Sequence, residues 1–180
     1  MALPKQRYTV ADFEQFLAQP ENANRLFELI DGDIIEVAPG RTRNSEIGQV
    51  LAFEVRLFCR EYHIPCHTSG GDGAYLVDGH ILVPDFAYKR APMSDDYLDP
   101  IAPEWAAEIV SPTDKATDIR QKRQIYIGAG ILLWEIYPDL ASVDVYAPGQ
   151  PPRTFSGDDT LDGGSVLPGF TLAVRDLFAG

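Results

Sequence analysis

The sequence has little cysteine and no long apolar run. Cys59 and Cys66 are the only cysteines among 180 residues, which disfavours a disulfide scaffold and favours a reducing compartment. No apolar stretch approaches the ~18 residues that a membrane span needs, and residues 1–7 contain no apolar core of a secretory signal. We therefore expect a cytoplasmic protein with no membrane segment.

Basic residues are scarce relative to acidic ones. Fifteen Lys and Arg stand against 27 Asp and Glu, so the formal net charge is −12. A field of that sign repels polyanions, so a nucleic-acid function requires a local basic patch or bound metal ions. Hydrophobic residues make up 45% of the chain, which excludes a mostly disordered chain. The length is that of one domain, and we assign residues 1–180 to it.

The first third of the chain predicts a short helix, a hairpin and a long helix. Thr9 and Asp12 form a capping box before apolar residues at helical spacing. Residues 25–37 predict two strands joined by a turn at Asp31-Gly32-Asp33. Asn44 is expected to cap a longer helix, because apolar residues then recur at helical spacing to about residue 62.

The rest of the chain alternates strands with one more helix. That helix is predicted over residues 117–127, because Gly128 and Gly130 stop it. A strand before it and a strand after it form a strand–helix–strand unit, in which the two strands are parallel. The pattern therefore predicts an α/β fold, a mixed β-sheet flanked by helices with an N-terminal β-hairpin. The strand-like runs are residues 67–68, 74–77, 81–88, 104–110, 131–137 and 142–146.

Two acidic residues interrupt strand-like runs that are otherwise apolar, Asp85 and Glu108. A buried carboxylate normally has a partner, and two carboxylates side by side repel each other unless a divalent ion lies between them. Oxygen ligands without a soft partner favour Mg²⁺ or Mn²⁺. Alternatively, Asp85 caps a strand end and Glu108 points to solvent, as charged side chains usually do.

A lysine on the following helix is a third candidate. Ile119, Lys122 and Tyr126 lie along one side of that helix, so Lys122 is at the edge of the stripe that faces the sheet. An ammonium there could orient a metal-bound water and offset charge on a pentacovalent phosphate. The alternative is a surface pair with Asp118, four residues earlier, that contributes only about 0.3–0.5 kcal/mol.

A second metal hypothesis concerns zinc. Cys59 and His63 are four residues apart on the long helix, a spacing that can ligate one metal. Cys66 and His67 follow at a strand start, where adjacent side chains point in opposite directions. The sequence therefore disfavours a zinc site made of these four residues.

An ordered set of motifs resembles the Uma-two family of restriction endonuclease-type proteins. The resemblance extends from about residue 8 to residue 178. It implies the fold of the PD-(D/E)xK nuclease superfamily, metal-dependent phosphodiesterases with a restriction-endonuclease-like mixed β-sheet flanked by helices. The matching segments are Phe27-Glu28-Leu29-Ile30-Asp31-Gly32-Asp33, Pro84-Asp85, Glu108-Ile109-Val110-Ser111-Pro112-Thr113, residues 118–126, Gly130, Trp134 and Leu167-Pro168-Gly169-Phe170.

The resemblance also implies roles for individual residues. Asp85 and Glu108 would ligate the metal, and the main-chain carbonyl of Ile109 would be a further ligand. The superfamily usually places its catalytic lysine two residues after the Glu, where this chain has valine. The family resemblance implies that the lysine is instead on the following helix, at Lys122. Glu28 matches a family position near the site.

Two positions depart from the family pattern. The family often has a His at the start of the long helix, where Arg43 is the nearest match here, and Tyr137 stands where it often has an Asp. Neither departure touches the expected ligands.

The expected reaction is hydrolysis of a DNA phosphodiester by a Mg²⁺-activated water. A homodimer is expected, because each active site would cut one strand. The alternative is a catalytically idle member of the same fold that binds nucleic acid or a protein. The candidate phosphate contacts, each of which could instead be an ordinary surface arginine, are Arg41, Arg43, Arg120 and Arg123.

Overall fold

The computed structural model describes residues 7–179, which form two larger β-sheets, a two-stranded sheet and four α-helices. The helices are α1 (Val10–Leu17), α2 (Thr42–Glu61), α3 (Ala116–Gly128) and α4 (Val174–Phe178). The strands are β1 (Phe27–Ile30), β2 (Asp33–Glu36), β3 (His67–Gly70), β4 (Ala74–Val77), β5 (His80–Leu82), β6 (Phe86–Lys89), β7 (Leu98–Asp99), β8 (Trp105–Ile109), β9 (Leu132–Tyr137), β10 (Ser142–Tyr146), β11 (Arg153–Ser156), β12 (Thr160–Asp162) and β13 (Thr171–Ala173).

Both larger sheets are mixed. The first sheet has the strand order β2-β1-β5-β4-β7, and its β4–β7 pair is parallel. The second sheet has the order β11-β10-β9-β8-β6-β3, and its β8–β9 pair is parallel. The remaining pairs in these two sheets are antiparallel. The predicted α/β class, the hairpin β1–β2 and the parallel strands around α3 are confirmed.

Three hydrophobic clusters set the layer order. Helix α2 packs on one face of the second sheet, with Leu51 and Val55 against Trp105 and Ala107. The opposite face of that sheet packs against the first sheet and Tyr126 of α3. Helix α1 covers the far side of the first sheet. The two sheets therefore face each other, with α3 packed beside the space between them.

The two-residue alternation of strands directs two acidic side chains into the space between the sheets. In β8, Trp105 and Ala107 pack toward α2, so Glu108 shares the opposite face with Ala106. In β1, Leu29 packs toward α1, so Glu28 shares the opposite face with Ile30. Glu28 and Glu108 thus extend toward each other from different sheets.

The structure corrects two expectations about local structure. Residues 81–88 are not one strand: β5 ends at Leu82, β6 begins at Phe86, and each belongs to a different sheet. Pro84 lacks the N–H that a continuous ladder needs, so Asp85 lies in the connection rather than within a strand. Asn44 is not the cap of α2, since the helix begins at Thr42 and Asn44 is buried within it.

Other local expectations are met. Thr9 caps α1 in a reciprocal capping box with Asp12, because each satisfies a backbone N–H of the other. Within residues 7–179, no helix combines the length and apolar character needed to cross a bilayer.

Candidate active site

Lys122 joins acidic side chains from both sheets. Its Nζ lies 2.8 Å from Glu108 Oε2 and 2.9 Å from Glu28 Oε1. The side chain of Lys122 is 16% exposed, that of Glu108 is 15% exposed and that of Glu28 is 8% exposed. Lys122 therefore does not form the surface pair with Asp118 that was its alternative interpretation, and Glu108 does not point to solvent.

Glu28 is fixed from a second direction. Its Oε1 also accepts a hydrogen bond of 2.8 Å from the N–H of Val83, in the segment between β5 and β6. The same short segment carries Asp85, two residues later. The connection between the sheets thus holds Glu28 in place and brings Asp85 to the same site.

Asp85 is held at the end of β8. Its Oδ2 accepts a hydrogen bond of 2.7 Å from the N–H of Ile109, and its side chain is partly exposed. Burial raises the pKa of Asp85, although the Ile109 N–H and the Lys122 ammonium oppose that rise, while Asp114 and Glu28 add to it. The carboxylates at 28, 85 and 108 therefore share one electrostatic environment.

Glu108 is hydrogen-bonded through both oxygens. Tyr126 Oη donates to Oε1 at 2.8 Å, and Lys122 Nζ donates to Oε2 at 2.8 Å. Burial raises the pKa of Glu108 to about 8; Lys122 opposes this rise, and the Asp85 and Glu28 carboxylates strengthen it. Burial alone would lower the pKa of Lys122, but the two glutamates raise it above its ordinary value.

The donor atoms suit a hard divalent cation. Two carboxylates contact the Lys122 ammonium and the Asp85 carboxylate interacts with it electrostatically, so Mg²⁺ or Mn²⁺ would supply the positive charge that this set lacks. Within residues 7–179, no three His, Cys, Asp or Glu side chains form a ready metal-holding group. Mg²⁺ does not require one, because it is usually held by one or two carboxylates and keeps several waters.

The carbonyl expected as a further ligand already has a partner. Asn44 of α2 donates from Nδ2 to the Ile109 oxygen at 3.2 Å and to Ser111 Oγ at 2.8 Å. A carbonyl oxygen has two lone pairs, so this bond leaves one acceptor site. The amide ties the start of α2 to the end of β8, next to Asp85 and Glu108.

The arginines fall into two groups. Arg41, Arg43 and Arg120 are exposed, and Arg41 makes a long ion pair of 3.9 Å with Asp139. Arg123 is different, because its guanidinium contacts Glu135 through two hydrogen bonds of 2.8 and 2.5 Å. Its expected role as a phosphate contact therefore competes with a fixed internal partner.

The residues proposed for zinc do not form a metal site in the described part of the chain. Cys59 is buried, and the neighbouring Cys66 is partly buried. Burial raises the pKa of the Cys59 thiol to about 12, and a hydrogen bond with Cys66 adds to the rise. Both observations fit a packed thiol rather than a metal ligand.

Sequence reasoning missed two residues that contact the site. Tyr126 is four residues after Lys122 on the same side of α3, so the helical spacing carried a signal for it. No local pattern in the sequence indicated the role of Asn44, because its partners Ile109 and Ser111 are more than 60 residues away in the chain. Its side chain type suggested a helix cap instead.

Comparisons with known proteins agree with this architecture. The Uma2 family, described as "Putative restriction endonuclease", matches residues 13–175. A crystal structure described as "a putative nuclease belonging to DUF820 from Anabaena variabilis" has the same fold, with a TM-score of 0.80 at 24% sequence identity. The match covers 95% of this chain and 97% of that one. No curated protein sequence matches the chain.

Proposed function

The chain belongs to the Uma2 family of restriction endonuclease-like proteins, and we propose that it is a divalent-cation-dependent nuclease that hydrolyses DNA phosphodiester bonds. The observation that carries the proposal is that Glu28 and Glu108, from different sheets, both contact the single ammonium of Lys122, while the Asp85 carboxylate interacts electrostatically with Lys122 and Glu28. Burying this much negative charge is costly unless a cation joins the set. A purely structural ion pair would need only one carboxylate.

Asp85 and Glu108 would hold the cation, Mg²⁺ or Mn²⁺, together with the main-chain carbonyl of Ile109. When bound, the cation supplies a water of lowered pKa and stabilises charge on the phosphate. Lys122 would orient the attacking water or the phosphate, since its ammonium is adjacent to Glu108. Glu28 would keep Lys122 charged and in place from the opposite sheet.

The acidic surface requires local compensation for DNA binding. Arg41, Arg43 and Arg120 are exposed and would contact phosphates, Arg41 in place of its long ion pair with Asp139, whereas the net charge of −12 repels DNA at long range. At physiological salt, dissolved ions screen this repulsion at distances beyond about 8 Å. These arginines would therefore act only at short range, once DNA is close to the protein surface.

A homodimer is part of the proposal, because cleavage of both DNA strands requires two sites. Light scattering in the presence and absence of DNA measures this. A mass near that of one 19.9 kDa chain in both conditions would contradict the dimer and leave single-strand nicking as the proposed activity.

A catalytically idle binding protein is the second candidate. It is favoured by one observation: both oxygens of Glu108 already accept hydrogen bonds, from Lys122 and Tyr126. Each carboxylate oxygen has a further lone pair, so a cation can still bind. The plasmid-nicking experiment described next distinguishes the nuclease from the binding protein.

The test is cation-dependent nicking of supercoiled plasmid. Wild-type protein is incubated with Mg²⁺, Mn²⁺ or EDTA, beside Glu108→Gln and the matched control Glu61→Gln, an exposed carboxyl at the end of α2. Nicking by wild type and Glu61→Gln alone, abolished by EDTA, would support the proposal. Nicking that survives EDTA or Glu108→Gln would refute it. Cation-independent DNA binding without nicking would favour the idle alternative, and a labelled RNA tests the assignment to DNA.

A further inference from the structure

Tyr126 contacts the candidate site but has no role in the proposed chemistry. It lies on α3, one turn after Lys122, and is fully buried with Ile30, Ala106 and Leu133 nearby in the same cluster. A buried aromatic ring usually fills space in a core. A phenylalanine would do that equally well, so the hydroxyl group requires its own explanation.

Among residues 7–179, the Tyr126 hydroxyl has one hydrogen-bond partner. Tyr126 Oη donates to Glu108 Oε1 at 2.8 Å, while Lys122 Nζ donates to the other oxygen, Oε2. Two bonds from one helix, one to each oxygen, fix both the position and the plane of the carboxylate. One lone pair on each oxygen then stays available to a ligand.

The two donors differ in how many partners each of them serves. Lys122 divides its ammonium between Glu108 and Glu28, and in the proposed reaction it must also serve a water or phosphate. Tyr126 has a single proton, and that proton is directed at Glu108. The hydrogen bond from Tyr126 to Glu108 can therefore persist when the Lys122 ammonium binds the water or the phosphate.

We infer that Tyr126 is a positioning residue for the cation: it holds Glu108 in the orientation in which that carboxylate binds Mg²⁺ or Mn²⁺. This inference rests on the proposed function. Hydrogen-bonded partners of metal ligands typically affect metal affinity by about 10–100-fold. A tyrosine that only fills the core would affect folding stability and leave cation affinity unchanged.

The test compares Tyr126→Phe with Tyr88→Phe. Tyr88 is also fully buried, and its hydroxyl donates to the carbonyl of Pro65 at 3.3 Å, on the α2 side of the second sheet. Each variant removes one buried hydroxyl and keeps the ring. Mn²⁺ affinity is measured by calorimetry, and nicking is measured across a Mn²⁺ titration, with thermal unfolding as a check on folding.

The inference predicts that Tyr126→Phe weakens Mn²⁺ binding by about 10-fold or more, while Tyr88→Phe binds like wild type. At saturating Mn²⁺, Tyr126→Phe should recover most of the wild-type nicking rate, because the substitution weakens binding of the cation. Wild-type affinity in Tyr126→Phe, or equal weakening in both variants, would overturn the inference and leave the proposed nuclease intact. Absence of Mn²⁺ binding by wild type would overturn both.

Discussion

Glu108 and Glu135 lie directly opposite each other in the parallel pairing of β8 with β9, yet consecutive residues of α3 neutralise them separately. Lys122 binds Glu108, and Arg123 binds Glu135, which also accepts a hydrogen bond of 2.8 Å from Tyr137 Oη. Like charges opposite each other destabilise a sheet. The two cations therefore fix α3 over both strands, and only the Lys122 pair reaches the candidate site.

Removing Arg123 should destabilise the fold. Arg123→Leu leaves the buried Glu135 without its cation, and we expect the free energy of unfolding to fall by about 3–5 kcal/mol. Arg120→Leu, an exposed arginine on the same helix, should change it by no more than about 0.5 kcal/mol. Urea unfolding measures both. An Arg123→Leu protein of wild-type stability but reduced DNA affinity would contradict this and restore Arg123 as a phosphate contact.

Removing Arg43 should weaken DNA binding without loss of stability. If Arg43 contacts one phosphate, Arg43→Ala should reduce the slope of log K against log salt concentration by about 1. Arg60→Ala is the control, because Arg60 is exposed at the far end of α2, about 25 Å away along the helix. Fluorescence anisotropy with a labelled duplex in Ca²⁺ measures the slopes. Equal slopes for the two variants would remove Arg43 from the interface.

Removing the Asp85 carboxylate should stabilise the cation-free protein. Burial raises the folded-state pKa of Asp85, so its ionised form opposes folding at any pH above that value. Asp85→Asn should therefore be the more stable protein in EDTA at pH 8, and the difference should vanish below about pH 4, where the unfolded carboxyl is protonated too.

Mn²⁺ should reverse that order of stability. A cation present at 100 times its dissociation constant adds about 2.7 kcal/mol to wild type, and Asp85→Asn should gain nothing comparable. Thermal unfolding in EDTA and in Mn²⁺ measures both effects. If Asp85→Asn were less stable than wild type in EDTA at pH 8, Asp85 would have a structural role instead.

Much of this fold follows from local patterns. Thr9 and Asp12 specify the start of α1, the apolar spacing specifies α2 to within a few residues, and Gly128 and Gly130 specify the end of α3. The prediction of one strand over residues 81–88 was wrong, because the apolar residues on both sides of Asp85 do not reveal that β5 and β6 belong to different sheets. Pro84 and the charged Asp85 were the local signs of that break.

The candidate site was predictable only in part. Asp85, Glu108 and Lys122 stand out because each places a charge where the pattern requires burial. The partnership of Lys122 with Glu28 is not readable from the sequence, since it depends on how the two sheets face each other. The same holds for Asn44, whose amide crosses from α2 to the end of β8.

A buried ion pair away from the site gives a pH-dependent prediction. Lys89 is 1% exposed and donates to Asp99, which also accepts bonds from the N–H groups of Ser94 and Ile101. Burial would raise the pKa of Asp99, but these hydrogen bonds lower it below its ordinary value. The stability that this carboxylate contributes is therefore complete above about pH 4 and lost as the pH falls through its folded-state pKa.

Asp99→Asn should accordingly lower the free energy of unfolding by about 3–5 kcal/mol at pH 7, and by progressively less below pH 4. Asp158→Asn, at a side chain that is 97% exposed, should have little effect at either pH. Urea unfolding at pH 7, 5 and 3 provides the comparison. A difference between wild type and Asp99→Asn that is the same at pH 3 and pH 7 would show that the carboxylate charge is not responsible.

Asp85 and Glu108 are proposed to bind one divalent cation together. The most direct measurement is anomalous X-ray scattering from crystals soaked in Mn²⁺. We expect a Mn²⁺ peak within coordination distance of an oxygen of each carboxylate, and its loss in Asp85→Asn crystals. An empty site at saturating Mn²⁺, with Lys122 still between Glu28 and Glu108, would contradict it.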